Sequence, residues 1–575
     1  MAETTINQPP AARPWMPFLM IVAASACAHL WCLGSKFYMD DMVGIRDSVV
    51  VREGDFLRTI TLAWTTLFYH LQYRLFGMSE VGFHAVNWLL HTGTACALFA
   101  MGRELLDKRQ GEGVAWFGAL LFAVHPLCSE IPNYARCQDL AWVTLFSLLA
   151  SWAILRFLRT GSRLALGGFV LAFAGAALSK GPGAVHAALA VGVVALISLE
   201  TGHVSFIRRR AAWAGGAFLV LLLGLWIAGV LPRWVSYAEN TWSTPRFIGH
   251  AYTLARVFWE FAWRAVIPVR LSADHQIAET IVPPGAGWFG VEDQVALLAA
   301  ASMLALTALA IGLMWKRTTR LFGACLFLFV GTILFRVMYV VPEFMPEYRI
   351  YPGMPWFCLG AAILLSALWR VLPGGGSPRS IAALILIPCI LLSAKRSFLW
   401  HDTTRLCMDV LKQYPAQARA VWKMHDRDLD RGAWQSIITR QRLMWPPVFK
   451  SFIDQMTALR KSGRDLNSGH FALADVACHG RLAIALAHVQ GPAAGVAEIR
   501  QLEARMRQLG IREDTNPVIW GYFHHARATV MELAGAYPQA LESMRYKGAF
   551  RITAEDISRV ERKLEEKTAP ARSTR

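Results

Sequence analysis

Apolar segments of about 20 residues recur along the first two thirds of the chain and alternate with polar loops. A helix of about 20 residues crosses the hydrocarbon core of a bilayer. The pattern therefore predicts an all-α, polytopic membrane protein with about eleven transmembrane helices. The predicted spans are residues 17–34, 82–101, 113–127, 139–156, 165–179, 183–199, 212–231, 293–314, 321–341, 353–370 and 379–394.

The composition supports a membrane protein. Of the 575 residues of the chain, 55% are hydrophobic and 17% are charged. In soluble proteins about a quarter of all residues are charged. Residues 17–33 have no basic start and no A-x-A cleavage site, so we expect them to be retained as a membrane helix. The net charge of +18 does not indicate a nucleic-acid partner, because much of it lies in short loops and the rest alternates with acids.

Basic residues cluster in every second loop, as the positive-inside rule requires. These loops follow the second, fourth, sixth, eighth and tenth predicted spans. The N-terminus is therefore predicted to be cytoplasmic and the C-terminal region extracytoplasmic. The other loops, here called the first to fifth outer loops, are residues 35–80, 125–139, 179–183, 231–292 and 342–351.

The first outer loop begins with adjacent carboxylates, Asp40 and Asp41. Carboxylates are costly in hydrocarbon, and at the membrane surface they lie where an enzyme acting on a lipid-linked substrate needs a base. Two neighbouring carboxylates make one of them a better base near neutral pH. We favour Asp40 as the base, with Asp41 as its partner or as a metal ligand if a metal is used. An ordinary polar start of a loop is the alternative.

Three other outer loops carry cations suited to a phosphate. In the second, Arg136 and Asp139 stand at i and i+3 and would pair on one helical face, with a structural ion pair as the alternative. In the third, Lys180 precedes Gly-Pro, which would free backbone amides beside the ammonium group. In the fifth, Arg349 and Tyr351 open the tenth predicted span, and an aromatic belt explains the tyrosine equally well.

Six short motifs follow one another between residues 15 and 415. They are Tyr38-Met39-Asp40-Asp41, Phe83-His84-Ala85-Val86-Asn87-Trp88-Leu89-Leu90-His91, His125-Pro126 through Arg136-x-x-Asp139, Leu178-Ser179-Lys180, Leu271-Ser272-Ala273-Asp274 and Glu347-Tyr348-Arg349-Ile350-Tyr351-Pro352. The ordered series resembles the C-type (GT-C) membrane glycosyltransferases. It is most similar to the transmembrane O-mannosyltransferases that carry tetratricopeptide repeats.

The resemblance implies an inverting transfer of sugar from a polyprenyl-phosphate-linked donor to an acceptor hydroxyl. Asp40 and Asp41 would be catalytic, and Lys180, Arg136, Arg349 and Tyr351 would bind the donor phosphate. The supporting residues would be His125, Asp139, His84 and Glu347. The sequence departs from the motifs of this family at two places that the resemblance assigns to donor binding. Lys180 is followed by Gly181-Pro182 instead of an acid, and Tyr348 and Arg349 are exchanged in order. The sugar therefore need not be mannose.

Residues 1–394 are predicted to form the transferase domain and residues 395–575 a soluble, all-α domain. Residues 535–542 resemble the second helix of a tetratricopeptide unit, with small Gly535 and Ala540 allowing close packing. Residues 491–498 resemble it more loosely, and residues 427–466 fit no repeat. This domain would either hold a protein acceptor in a concave groove or cover the membrane site.

The expected acceptor is a Ser or Thr of a protein, and the expected location is a bacterial inner membrane, with the site on the periplasmic side. The expected partners are the lipid-linked donor, membrane lipid and the protein acceptor. Transfer to lipid A or another glycolipid, as in aminoarabinose transferases, is an alternative, and a transporter or assembly scaffold is a non-enzymatic one. The use of a divalent metal is open. Cys128 with Cys137, and Cys407 with Cys478, could form disulfides in an oxidising compartment.

Overall fold

The computed structural model describes residues 14–54, 64–106, 111–180, 183–199, 215–216, 247–282, 290–334, 336, 345–371, 378–462, 464–465, 468–514, 516–546 and 552–568. Within these ranges helices dominate, and the predicted class of an all-α polytopic membrane protein is confirmed. The helices are α1 (Met16–His29), α2 (Val49–Glu53), α3 (Trp64–Phe76), α4 (Glu80–Leu105), α5 (Gly111–Val124), α6 (Glu130–Asn133), α7 (Gln138–Thr160), α8 (Arg163–Ser179), α9 (Gly183–Leu199), α10 (Phe247–Val266), α11 (Gln294–Trp315), α12 (Arg320–Leu334), α13 (Met354–Val371), α14 (Pro378–Leu399), α15 (Thr403–Gln413), α16 (Ala418–Asp430), α17 (Trp434–Arg460), α18 (Ser468–Val489), α19 (Pro492–Gln508), α20 (Pro517–Leu533), α21 (Tyr537–Met544) and α22 (Ala554–Thr568). Short strands β1 (Glu279–Thr280) and β2 (Arg464–Asp465) pair antiparallel.

Within the described residues, 6 helices are long and apolar enough to cross a membrane. All but one coincide with predicted spans, namely Met16–Gly34, Ala135–Thr160, Gln294–Trp315, Glu347–Val371 and Ser380–Leu399. A bent pair, Gly111–Val124 and Pro126–Asn133, and the shorter apolar helices Arg163–Ser179, Gly183–Ser198 and Arg320–Ile333 coincide with others. Of the predicted span at residues 212–231 the structure describes only residues 215–216, so the total of eleven stays a prediction.

The exception, Phe471–Val489, belongs to the C-terminal third. This helix packs against α16, α17, α19 and α20, and Nε of its Arg481 lies 2.9 Å from Oδ1 of Asp426 in a buried ion pair. Its apolar surface is therefore covered by protein. An apolar window cannot distinguish burial in a helical bundle from burial in lipid.

Polar residues of α4 hold the second outer loop in place. His84 forms a hydrogen bond through Nδ1 to the carbonyl oxygen of Pro132 at 3.0 Å. The side-chain amide of Asn87 donates to the carbonyl oxygens of Ile131 at 2.8 Å and Tyr134 at 3.0 Å. These buried groups make α4 less apolar than its neighbours, and they fix the loop that faces the Asp40-Asp41 segment.

The C-terminal third contains helical hairpins. Turns with a left-handed glycine, Gly491 at φ 98° and Gly535 at φ 68°, join α18 to α19 and α20 to α21. The helix predicted near residues 535–542 is present as α21 and is the second helix of its hairpin. Ala540 is buried as expected, but the packing role assigned to Gly535 was wrong, because this residue forms the turn. The relation to tetratricopeptide repeats stays a prediction.

The membrane helices and the C-terminal helices are joined by polar contacts. Glu347, in the fifth outer loop, accepts hydrogen bonds from Arg396 at 2.6 Å and His275 at 2.7 Å, and the other ring nitrogen of His275 lies 2.7 Å from the hydroxyl of Tyr414. The pairing of β1 with β2 connects the fourth outer loop to the C-terminal third. The last apolar helix continues to Leu399, five residues beyond residue 394, where the sequence placed the end of the first domain. The division into two domains stays a prediction.

All ten cysteines are free thiols. Neither Cys128 with Cys137 nor Cys407 with Cys478 forms the disulfide that the sequence left open. Cys407 instead lies with its sulfur 3.9 Å from the hydroxyl of Tyr38, and burial raises the pKa of the Cys407 thiol to about 12. These cysteines therefore act as small buried side chains.

Candidate active site

Asp41 is fully buried and connects the first outer loop to the second. Its Oδ2 accepts the backbone N–H of Tyr38 at 2.9 Å, and its Oδ1 accepts that of Arg136 at 2.6 Å. Burial raises the pKa of the Asp41 carboxyl above its usual value, while the two N–H groups lower it. The effect of burial is the larger, so the pKa of Asp41 is raised overall, and each of its oxygens holds the backbone of a different loop. Asp41 thus anchors the loop.

Asp40, in contrast, is exposed. Its backbone N–H donates to the hydroxyl of Tyr134 at 3.1 Å. The preceding residue, Met39, has φ 45°, a left-handed conformation that non-glycine residues rarely adopt. Such strain persists where the surroundings fix it, and it is common at functional sites. The two carboxylates that follow Met39 therefore have different environments: Asp40 is exposed to solvent and Asp41 is buried in the protein.

Asp40 lines a cleft with about 420 Å³ of empty space, here called the Asp40 cleft. Four of the five outer loops and the C-terminal region contribute to it, through Tyr38, Tyr134, Asp274, Tyr348, Trp400 and Arg419 among others. Tyr134 stacks on Trp400 with ring centroids 5.8 Å apart and meets the ring of Tyr348 at 6.0 Å. The loops that the sequence grouped on one face therefore converge on one site.

The ring of Tyr348 lies near two of the predicted phosphate-binding cations. The Lys180 ammonium is 5.7 Å from the centroid of its ring, and the Arg349 guanidinium is 5.9 Å from it. The backbone N–H of Tyr348 donates to Oε2 of Glu130 at 2.7 Å, which fixes the ring beside the Asp40 cleft. The structure thus brings together Lys180 and Arg349, two residues that are far apart in sequence.

Arg136 and Asp139 were predicted to pair with each other. This prediction was wrong for Asp139, which has a different partner. The Asp139 carboxylate pairs with Lys180, with Nζ 2.7 Å from Oδ2. Arg136 belongs to a 3₁₀ turn, Ala135–Cys137, that precedes α7, so the helical i, i+3 rule does not apply to it. Its guanidinium lies 5.6 Å from the ring centroid of Tyr69 and packs against Gly44.

Tyr351 does not belong to the phosphate-binding group. It is fully buried, its hydroxyl lies 2.9 Å from Nδ1 of His91, and its ring contacts Phe122 at 5.4 Å between centroids. The prediction for Tyr351 is therefore corrected to a packing role inside the helix bundle. The residue in this motif that meets the cations is Tyr348.

The predicted supporting residues contact the loops around the cleft. His125 accepts the backbone N–H of Leu127 at Nδ1, 3.2 Å away, and its Nε2 lies 2.9 Å from the carbonyl oxygen of Ala265, which connects the second outer loop to α10. Glu347 also accepts the backbone N–H of Ser272 at 2.7 Å. Both side chains therefore position the loops and do not line the Asp40 cleft.

Sequence reasoning missed a buried ion pair in the cleft wall. Arg419, in α16, binds the carboxylate of Asp274 through two nitrogens, with Nε 3.0 Å from Oδ2. Asp274 ends a motif that pointed to the site, but Arg419 lies beyond every motif, so no local pattern indicated it. The sequence analysis likewise assigned no role to Trp400 or Tyr134.

The residues present do not form an obvious metal site. Across the described residues, no group of three or more His, Cys, Asp or Glu side chains is arranged to hold a metal ion. Asp41, the proposed ligand if a metal is used, has both oxygens engaged by backbone N–H groups. Asp41 therefore does not fit that role.

No family model matches the chain. A curated protein O-mannosyl-transferase of Caenorhabditis elegans is 24% identical to it over 455 residues, which cover 73% of this chain. The chain spans only 62% of the length of that relative. The similarity confirms the resemblance to membrane O-mannosyltransferases that the ordered motifs indicated.

Proposed function

We propose that the protein transfers a sugar from a polyprenyl-phosphate-linked donor to a Ser or Thr hydroxyl of a protein on the extracytoplasmic side. The observation that carries the proposal is the exposed carboxylate of Asp40 in a cleft lined by Tyr348, whose ring centroid lies 5.7 Å from the charged group of Lys180 and 5.9 Å from that of Arg349. The similarity to a protein O-mannosyl-transferase supports transfer to protein, and mannose is the first sugar to test.

In the proposed reaction Asp40 removes the proton of the acceptor hydroxyl. The hydroxyl oxygen forms a bond to the anomeric carbon as the bond from that carbon to the phosphate oxygen breaks, so the configuration inverts and polyprenyl phosphate leaves. In this proposal Lys180 and Arg349, the two cations beside the ring of Tyr348, stabilise the negative charge that builds on the phosphate. General-base assistance of this kind contributes about 10²–10⁴-fold to the rate.

A second groove offers the acceptor a route to Asp40. It contains about 720 Å³ of empty space and separates the first outer loop from the first C-terminal helices. It shares Tyr38 and Met39 with the Asp40 cleft. Lys423 also lines it, and burial lowers the pKa of this lysine, against the attraction of Asp426 and Asp40. A peptide lying here would reach Asp40 from the soluble side, while the donor approaches from the membrane.

The test is transfer of labelled mannose from polyprenyl-phosphate mannose to Ser/Thr-rich peptides by the full chain in nanodiscs, with glycopeptides read by mass spectrometry. Wild type should glycosylate the peptide, and Asp40→Asn should lose at least about 10²-fold of the rate with an unchanged melting temperature. Exposed Asp514→Asn is the matched control. An Asp40→Asn enzyme of full activity would overturn the role of Asp40, and label found only in glycolipid would overturn the protein acceptor.

A further inference from the structure

A third groove lies at the junction of α10, α14 and α15, and contains about 1630 Å³ of empty space. It does not share a lining residue with the Asp40 cleft. Arg396 and Tyr414 line it, and both belong to the network through which Glu347 and His275 join the membrane helices to the C-terminal helices. The groove is therefore on the other side of this network from Asp40.

The groove carries more positive than negative charge. Its cations are Arg264, Arg270, Lys395, Arg396 and Lys412, and its acids are Glu260 and Asp409. Both acids already have partners within the groove, because Glu260 pairs with Arg264 and Asp409 accepts a hydrogen bond from Gln413 at 3.0 Å. Three of the cations, Arg270, Lys395 and Lys412, are exposed, and the structure records no ion pair between them and any described residue.

Two buried arginines of the groove have hydrogen-bonding capacity left. Arg264 and Arg396 are 8% and 5% exposed, and the Nε–H of each has no partner among the described residues. Both side chains line the groove, so their positive charge adds to that of the three exposed cations. The groove thus combines buried guanidinium groups with exposed cations, which is a built anion site and not a patch of surface lysines.

The walls of the groove indicate that the anion belongs to a lipid. Leu392 and Leu399 of α14 and Val269 line it beside the charges. The adjoining end of α10 exposes Trp263 at 55% and Val266 at 66%, as a helix at the interface of a bilayer does. Cations at headgroup depth beside apolar side chains match a phosphate joined to acyl chains.

We propose that this groove binds the phosphate headgroup of an anionic membrane phospholipid, at a site separate from that of the sugar donor. The bound phosphate accepts hydrogen bonds from the buried arginines and ion pairs from the three exposed cations. Since Arg396 also holds Glu347, the lipid strengthens the attachment of the C-terminal helices to the membrane helices. The proposal does not depend on the proposed sugar transfer.

The test uses the full chain in nanodiscs of phosphatidylcholine with and without phosphatidylglycerol, with bound lipid read by native mass spectrometry and stability by thermal unfolding. Wild type should retain phosphatidylglycerol and melt at a higher temperature with it. The variant Arg270→Gln/Lys395→Gln/Lys412→Gln should bind on the order of a hundredfold more weakly, because each basic residue near an anionic surface contributes about a fivefold factor.

The control variant Arg507→Gln/Arg512→Gln/Arg545→Gln makes the same change in charge at exposed positions of the soluble helices and should keep wild-type lipid retention. Equal retention by the two variants would overturn the site. A thermal shift reproduced by inorganic phosphate in phosphatidylcholine alone would overturn the lipid as its ligand. Displacement of the bound lipid by polyprenyl phosphate would show that the two lipids share one site, and would overturn the proposal of a site separate from that of the donor.

Discussion

The backbone N–H of Arg136 donates to Oδ1 of Asp41 across a distance of 2.6 Å. The two residues belong to different outer loops, so one buried carboxylate fixes the position of both. The exposed neighbour, Asp40, depends on this contact for its place in the cleft. The structure therefore divides the acidic pair into an anchor and a candidate base.

Asp41→Asn should lower both stability and transfer. An asparagine presents one carbonyl oxygen and one amide group, so either the N–H of Tyr38 or that of Arg136 would face another donor. Leaving a buried donor unsatisfied costs about 1–3 kcal/mol. Thermal unfolding in detergent should show the loss, whereas Asp40→Asn should unfold as wild type does. Equal melting temperatures for the two variants would contradict the division of roles.

Lys180→Ala should impair use of the donor, because it removes the ammonium group that Asp139 and the ring of Tyr348 hold in place. Loss of one preorganised charge at a departing oxyanion costs about 10²–10³-fold in kcat. Steady-state kinetics with the lipid-linked donor would measure this, and Lys180→Arg should restore part of the rate. Lys563→Ala, at a partly exposed lysine of α22 paired with Glu532, is the control. Unchanged donor kinetics would remove Lys180 from the site.

The ring of Tyr348, and not its hydroxyl, should matter for the two neighbouring cations. Tyr348→Phe keeps the aromatic face and should retain most activity. Tyr348→Leu removes it, which costs about 0.5–2 kcal/mol for a cation over a ring and should raise KM for the donor several-fold. Comparison of the two variants under identical donor concentrations tests this. A defect in Tyr348→Phe as large as that in Tyr348→Leu would assign the role to the hydroxyl.

Glu347→Gln should destabilise the chain strongly. The substitution leaves Arg396 without its buried counter-charge, and breaking a buried ion pair costs about 3–5 kcal/mol. Glu112→Gln provides a contrast, because Glu112 is 53% exposed beside Arg103 and a surface pair contributes about 0–1 kcal/mol. Thermal unfolding of both variants measures the difference. Similar melting temperatures would show that the network is not a major source of stability.

The hydrophobic pattern and the loop polarity predicted which segments form helices and which loops meet. They could not predict the partner of Asp139, because Lys180 follows a different helix and only tertiary packing brings the two together. Tyr351 was misassigned for a similar reason: a tyrosine at the start of a span can face the interface or the bundle, and the pattern is the same. Arg419 follows the last span and contacts Asp274, which lies 145 residues earlier in the chain. A short sequence motif cannot indicate a contact over such a separation.

The cleft takes its walls from residues between Tyr38 and Arg419, and this has a consequence for biogenesis. Domains generally fold from the N-terminus during synthesis, yet this cleft lacks Trp400 and Arg419 until the first helices after the last span have emerged from the ribosome. The membrane helices can insert while the site is still incomplete. A nascent or truncated chain ending at residue 394 would thus display Asp40 and Asp274 without a closed cleft, so the cleft is completed late, after the membrane part is in place.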